Sequence, residues 1–307
     1  MDILNHIGET IASDIQRTID PLALHYRLHW RVKEIDSLKN KIQSKGYYSK
    51  EGKKVQDIIG FRITTYFYDD VKLLWNVFKQ VFDVVDEEYD QEKTDVFGIL
   101  RKNMVCAMPK HLAQLHTELA TSDKTYILTD HTFEIQFRTT FSEGWHEIDH
   151  ALRYKCKDDW AQYPEEERYF NGIFAALESN DRMLKSLFDD LAYNHYKNNN
   201  WEAMMRTKFR LHFQKTKFSL MQYIQEDHSL AKIILRCSRD KILLTMAKYK
   251  SYIPMTFDNL FWFIIYIEAP EHNIMKSIPS VFFNEWNMRI GNLHQNYTQT
   301  TERNEQQ

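Results

Sequence analysis

The sequence predicts an α+β fold, a mixed β-sheet flanked by helices, with a mainly helical C-terminal extension. Three observations lead there. Short β-branched and aromatic runs, residues 63–67 and 132–139, read as strands. Around them lie longer stretches with apolar residues at three- and four-residue spacing, which read as amphipathic helices. Only eight glycines and six prolines occur in 307 residues, which favours long helices over a turn-rich β fold. With 43% hydrophobic and 14% aromatic residues, the chain can build a sizeable core.

In chain order, residues 1–30 read as a helical lead-in, with Ile3, Ile7, Ile11 and Ile15 at four-residue spacing and a break at Asp20-Pro21. A second helix is expected over 22–44, ending at Gly46 as a C-cap. A Lys- and Gly-containing connection, 47–54, leads to the strand at 63–67. Residues 69–82 carry Val71, Leu74, Trp75 and Phe78 on one helical face. Strands are expected at 81–86 and 103–108, the latter stopped by Pro109. A helix over 109–122, a strand at 126–128 and the strand at 132–139 complete the sheet. From 165 to 193 a stripe of Phe170, Ile173, Phe174, Leu177, Leu184, Leu187, Phe188 and Leu191 is expected to pack as core. Asn198, Asn199 and Asn200 form the candidate linker. The expected division is therefore 1–197, a mainly helical 198–294, and a disordered polar tail over 295–307.

Three segments carry chemistry. Asp57, Gly60 and Arg62 stand just before the first strand. A carboxylate at a strand entry can hold a hard cation, a glycine admits a ligand, and an arginine offers a fork to phosphate or a plane to a base. A turn with a solvated Asp and a surface Arg reads equally well from this stretch alone. In 132–139, alternation places Glu134, Gln136 and Arg138 on one face and Phe133, Ile135 and Phe137 on the other, a strand between a wet cleft and a core. Upstream, residues 31–41 read as a basic helix carrying Arg31, Lys33 and Lys41, or else as a solvated charged face.

Together, Arg-x-Lys…Ser…Lys, Asp-x-x-Gly-x-Arg-Ile, Glu-Ile-Gln-x-Arg-Thr and the tail from Trp145 through His150 to Tyr154-Lys155 resemble the RelA/SpoT-type nucleotidyl synthetase domain, including the small alarmone synthetases and their toxic branch. The resemblance covers roughly residues 20–195 and implies a nucleotidyltransferase-like sheet. It implies an enzyme, a pyrophosphokinase that moves the β,γ-pyrophosphate of ATP to a ribose 3′-hydroxyl. Carried over by motif, Arg31 and Arg62 sandwich adenine and Lys33 and Lys41 contact phosphates. Asp57 holds Mg²⁺, Glu134 helps hold it and activates the hydroxyl, and Gln136 and Arg138 face the acceptor. Arg138 also reads as a plain ion-pair partner within the sheet. Trp145, Tyr154 and His150 read as core, and Glu34, Asp36 and Lys39 as surface. A catalytically degenerate binding or sensor module is the alternative, which retention of both carboxylates disfavours.

The acceptor side departs from the family. Where alarmone synthetases carry Gly-Tyr-Lys-Ser-Leu-His-Tyr, this chain, aligned from Pro109, reads Gly98-Ile99-Leu100-Arg101-Lys102-Asn103-Met104. Ile99 offers no π face for a guanine, although Phe97 could replace it and Arg101 or Lys102 could contact phosphate. The acceptor is therefore open between a guanosine or adenosine nucleotide and the 3′ end of tRNA, the latter with a role in toxicity or phage defence. An antitoxin protein and further copies of the chain stand as open partners.

The net charge of −3 hides an asymmetry: from Tyr196 to Phe257 twelve Lys or Arg oppose four acids, a local net of +8. Arg206, Lys208, Phe209, Arg210, Phe213, Lys215, Lys217 and Phe218 suit a polyanion such as tRNA, or form the outer face of a helix pair. Cys106, Cys156 and Cys237 lack metal spacing and read as buried thiols of a reducing cytoplasm. The N-terminus has no signal-like run, and the most apolar stretch, 260–267, is shorter than the ~20 residues a membrane span needs. A cytoplasmic protein without a membrane partner is expected.

Overall fold

The computed structural model describes residues 2–46, 48–49, 52–90 and 102–291. The chain divides into two compact units, Met1–Arg17 with His25–Lys185, and Thr18–Leu24 with Ser186–Gln307. In the first unit five strands, β1 (Tyr26–Val32), β2 (Ile59–Thr65), β3 (Val84–Tyr89), β4 (Lys102–Ala107) and β5 (Thr132–Thr139), form one sheet in the order β1-β2-β5-β4-β3. β2 and β5 run parallel and every other pair is antiparallel, so the sheet is mixed. Its helices are α1 (Asp2–Ile19), α2 (Ile35–Lys45), α3 (Tyr68–Val81), α4 (Lys110–Ser122), α5 (Thr140–Ile148), α6 (Lys157–Trp160) and the first part of α7 (Pro164–Lys197). The α+β class expected from the sequence is the class observed.

One face of the sheet is dry. Phe61 of β2 meets Phe133 of β5 edge-on at 5.6 Å, and Trp75 and Phe78 of α3 close on Phe137 at 5.5 and 5.4 Å. Each such ring removes enough apolar surface from water to contribute ~1.5–3 kcal/mol. α1 buries Leu4, Ile7, Ile11 and Ile15. It comes so close to β1 that a Cβ on Gly8 would lie 2.3 Å from the Trp30 ring. Only glycine fits there without moving the indole.

Residues 22–44 are not one helix. Tyr26, Leu28, Trp30 and Val32 are half-buried and alternate with exposed Arg27, His29 and Arg31, the period of a one-sided strand. Antiparallel pairing with β2 satisfies its backbone. α2 begins only after Glu34, and it does end at Gly46, whose φ of +62° is the left-handed C-cap expected. The strand expected at 126–128 is a 3₁₀ turn, Lys124–Tyr126, followed by a single bridge from Thr129 to Val55. The stripe on α7 is mostly not core. Phe174 is buried against Trp145, but Ile173 is 55% and Leu187 53% exposed. A helix of 34 residues spans about 50 Å, and its apolar stripe is largely left to solvent.

The second unit is helical: α8 (Trp201–Phe209), α9 (Met221–Glu226), α10 (His228–Arg236), α11 (Arg239–Tyr249), α12 (Phe257–Glu268) and α13 (Ser280–Ile290). α12 is its centre, with Phe257 and every residue from Leu260 to Tyr266 buried. A helix apolar on all sides belongs in a core when its neighbours are helices, and Trp286 of α13 packs on Phe263 at 5.1 Å. Among the described residues no helix is long and apolar enough to cross a membrane. All three cysteines are free. Cys106 and Cys237 are buried, which pushes their thiols up to about 12, whereas Cys156 is only half-buried, a correction to its expected burial. The 295–307 tail lies outside the described residues.

Candidate active site

Strand register builds the site. Gly60 of β2 stands opposite Arg31 of β1 on one side and Glu134 of β5 on the other. Two residues along the strands, a second row joins His29, Arg62, Gln136 and Asn103. Residues two apart on a strand share a face, so Arg31, Arg62, Glu134, Gln136 and Arg138 all stand opposite the aromatic core. Arg31 therefore reaches this face from strand β1 and not from the helix expected for it. A Cβ built on Gly60 meets nothing within 4 Å, which leaves open space between Arg31 and Glu134.

Two lysines converge on Asp57, at the entry to β2. Lys33, in the turn after β1, bonds its Oδ2, and Lys41 of α2 reaches both oxygens at 2.8 Å. The turn is fixed by the backbone, since Lys33 N donates to Ile58 O at 2.8 Å. Burial alone would raise the Asp57 carboxyl, but the hydrogen bonds and charges of Lys33 and Lys41 outweigh it and hold it below its ordinary value. For Lys33 burial wins over Asp57, and its pKa is lowered. Glu134 differs. Burial first, then the charge of Asp57, raises its pKa, and it accepts a hydrogen bond from Gln136 Nε2 to Oε2 at 3.0 Å.

Arg62 is held by acids the sequence reading did not single out. Its Nε donates to Gln136 Oε1 at 3.4 Å, and its Nη1 to Glu143 Oε1 at 2.6 Å and to Glu147. Burial would lower the guanidinium, but Glu143 and Glu147 more than offset it. Glu143 Oε2 also lies 3.5 Å from Arg138 Nε, so the ion pair considered for Arg138 exists. Both acids sit on α5, one turn apart, directly after Arg138. That i, i+4 carboxylate pair following a strand arginine is the signal that could have found them. His146, between them, is pushed down to about 3 by burial and by Arg138 and Arg62, so it is neutral at pH 7.

The face opens on a cleft of about 310 Å³ lined by Lys41, Lys54, Asp57, Asn103 and Glu134, with Asp86 to Glu88 of β3 on its rim. Trp145 is buried as expected, but Tyr154 is 60% exposed and His150 is exposed. His150 lies in a π-helical turn over Asp149–Arg153 and Tyr154 opens the 3₁₀ turn that follows, and their rings stack at 6.1 Å. Glu34, Asp36 and Lys39 are exposed as expected. Among the described residues no cluster of three or more His, Cys, Asp or Glu could enclose a metal. Two carboxylates beside a phosphate site, as Asp57 and Glu134 would be, nevertheless suit Mg²⁺, which keeps waters and substrate oxygens as its remaining ligands. Residues 97–101 of the acceptor segment lie outside the described residues, while Asn103 stands beside Gln136.

Residues 30–159 match the family model described as "Region found in RelA / SpoT proteins". This stretch is similar to the region shared by RelA and SpoT proteins. It runs from the end of β1 into α6 and contains Arg31, Lys33, Lys41, Asp57, Arg62, Glu134, Gln136 and Arg138. Over 136 residues the chain is 30% identical to GTP pyrophosphokinase YwaC of Bacillus subtilis, an alignment covering 42% of this chain and 58% of that protein. Similar solved structures include a GTP pyrophosphokinase family protein from Streptococcus pneumoniae, at 22% identity and TM-score 0.46 over 61% of this chain and 90% of that one. Small alarmone synthetase 1 from Bacillus subtilis bound to its product pppGpp is another, at 21% identity and TM-score 0.45 over 61% of this chain and 93% of that one. The matched stretch ends before α7, and the helical unit after it lies outside the match.

Proposed function

We propose that this chain is an ATP-dependent pyrophosphokinase whose chemistry resides in residues 1–197, with 198–294 as an accessory helical region. The observation that carries the reading is the arrangement of Asp57 under two lysines beside Glu134, across the open space above Gly60. In the proposed reaction the acceptor's ribose 3′-oxygen attacks the β-phosphorus of ATP. The bond between that phosphorus and the α,β-bridging oxygen breaks, AMP leaves, and the hydroxyl proton passes to Glu134. A raised carboxyl pKa suits a general base, because it accepts a proton more readily than an ordinary glutamate. Lys33 and Lys41 supply charge to the phosphates, and Arg31 and Arg62 hold the adenine. Mg²⁺, when bound by Asp57 and Glu134, would supply neutralisation of the phosphate oxygens. Lys33 and Lys41 then exchange one anion, Asp57, for another, the triphosphate.

The name of the curated relative supports a guanosine nucleotide as acceptor. A tRNA 3′ end presents the same hydroxyl, and the surplus of positive charge after Tyr196 supports that version, with a toxin or phage-defence role attached. ATP labelled at the γ-phosphate, incubated with GTP, GDP, ATP or bulk tRNA, decides. One acceptor is expected to gain label while AMP appears in equal amount. Label on none of them, with ATP unconsumed, would remove the enzymatic reading and leave the binding-module alternative.

A further inference from the structure

The second unit has a cleft of its own, about 460 Å³ in volume. Its floor is aromatic: Phe213 lies flat on Phe257, with ring centroids 4.2 Å apart and planes 18° from parallel. Phe257 opens α12 and is buried, so it is a fixed support. Phe213 is half-buried in the extended segment after α8. Arg206, in the last turn of α8, places its guanidinium 5.3 Å from the Phe257 ring centroid. Lys215, exposed, adds a second cation, and exposed His212 lines the cleft beside it. Glu202 is the one acid in the lining, and it pairs with Arg206 one turn away.

A flat π platform beside convergent cations is what a base carrying a phosphate recognises, and base–aromatic stacking tolerates any base. An acidic peptide would use the cations but not the ring floor, and an apolar peptide the reverse. We propose that this cleft binds a nucleotide unit, its base on Phe213 and its phosphate on Arg206 and Lys215. The site lies outside the stretch similar to RelA and SpoT proteins and does not rest on the transferase reading. The nucleotide is either a free mononucleotide or one residue of a single RNA strand.

Binding is read on the full chain by fluorescence anisotropy of a labelled short oligoribonucleotide ending in a 3′-deoxynucleotide, which cannot accept a pyrophosphate. Arg206→Ala and Lys215→Ala should each weaken it several-fold. If the strand is the ligand, each should lower the salt slope by roughly 0.7. Phe213→Leu keeps apolar volume but removes the π face, and should cost on the order of 5- to 100-fold. Glu202→Gln should tighten binding, because it removes the repelling charge. Thermal melts of the variants show that they are folded. Competition by AMP and GMP at concentrations comparable with the oligomer's own affinity assigns a free nucleotide, and much weaker competition assigns the strand. Wild-type affinity in Arg206→Ala, Lys215→Ala and Phe213→Leu overturns the proposal. So does loss of binding only in Arg62→Ala, which would put the oligomer on the sheet and leave the transferase reading standing.

Discussion

The polar face of the sheet and the basic block after Tyr196 are both dense in charge, and the fold treats them oppositely. On the sheet, Glu134, Gln136 and Arg138 point where strand alternation puts them, and Arg62, Lys33 and Lys41 each meet a named acid. In the basic block, Arg210 and Arg239 are 4% and 7% exposed, and Phe209 and Phe218 are buried with them. Arg239 Nε donates to Phe209 O at 2.7 Å, so one of the twelve basic residues counted in the block caps the C-terminus of α8. A strand has two faces and a core decides between them. A short helix in a bundle has several neighbours, and its cations can turn either way. Charge on a strand is thus a better guide to a site than charge on a helix.

The largest effect that could break this contrast is at the carboxylates. Glu134→Gln should lower turnover by ~10²- to 10⁴-fold, the range for lost proton transfer, and Asp57→Asn should lower it strongly through the lost metal ligand, with the melting temperature nearly unchanged in both. Turnover near that of the wild type in either would mean that the polar face is only a solvated face. Next in size, Arg62→Ala should raise the KM for ATP roughly tenfold. An unchanged KM would leave its bonds to Glu143 and Glu147 purely structural.

A middle-sized effect sharpens the contrast from the dry side of the site. Asp181 of α7 is buried, accepts from Thr139 Oγ1, and has no partner for its other oxygen among the described residues. Burial pushes its carboxyl up to about 6, above the ordinary 3.8. The folded protein therefore holds this proton more tightly than the unfolded chain does. The stabilisation is full below pH 3.8, fades as pH rises towards about 6, and is absent above it. Asp181→Asn should be more stable than wild type at pH 8, by about 3 kcal/mol, and nearly equal to it at pH 3.5. Thermal melts at the two pH values check this, and equal gains at both would assign the effect to packing.

The smallest effect concerns the new acids. Glu147, more exposed than Glu143, should matter less: Glu147→Gln should change the KM for ATP by about twofold and Glu143→Gln by more. A larger change for Glu147 would reverse their ranking as supports of Arg62.

How far the sequence could be read follows the same contrast. The row through Glu134, Gln136 and Arg138 was legible because period two on a half-buried strand leaves one choice of face. Asp57 and Arg62 were legible because they flank a β-branched run. Strand β1 was not, because Lys33 and Lys41 drew residues 22–44 into one basic helix and hid the alternation of Tyr26, Leu28, Trp30 and Val32. Glu143 and Glu147 show in the sequence only as an i, i+4 carboxylate pair after Arg138; that they hold Arg62 depends on α5 folding back beside β2, which the spacing alone does not state. The α7 stripe misled because apolar periodicity reports a face without saying that anything covers it.

The most direct test compares AMP release from ATP, in the presence of an accepting nucleotide, for the wild type and Glu134→Gln at equal concentration and pH. ATP binding to both is measured alongside. The structure predicts that Glu134→Gln still binds ATP through Arg31, Arg62, Lys33 and Lys41 but releases almost no AMP. AMP release at the wild-type rate would contradict the assignment of the polar sheet face as the site of pyrophosphoryl transfer.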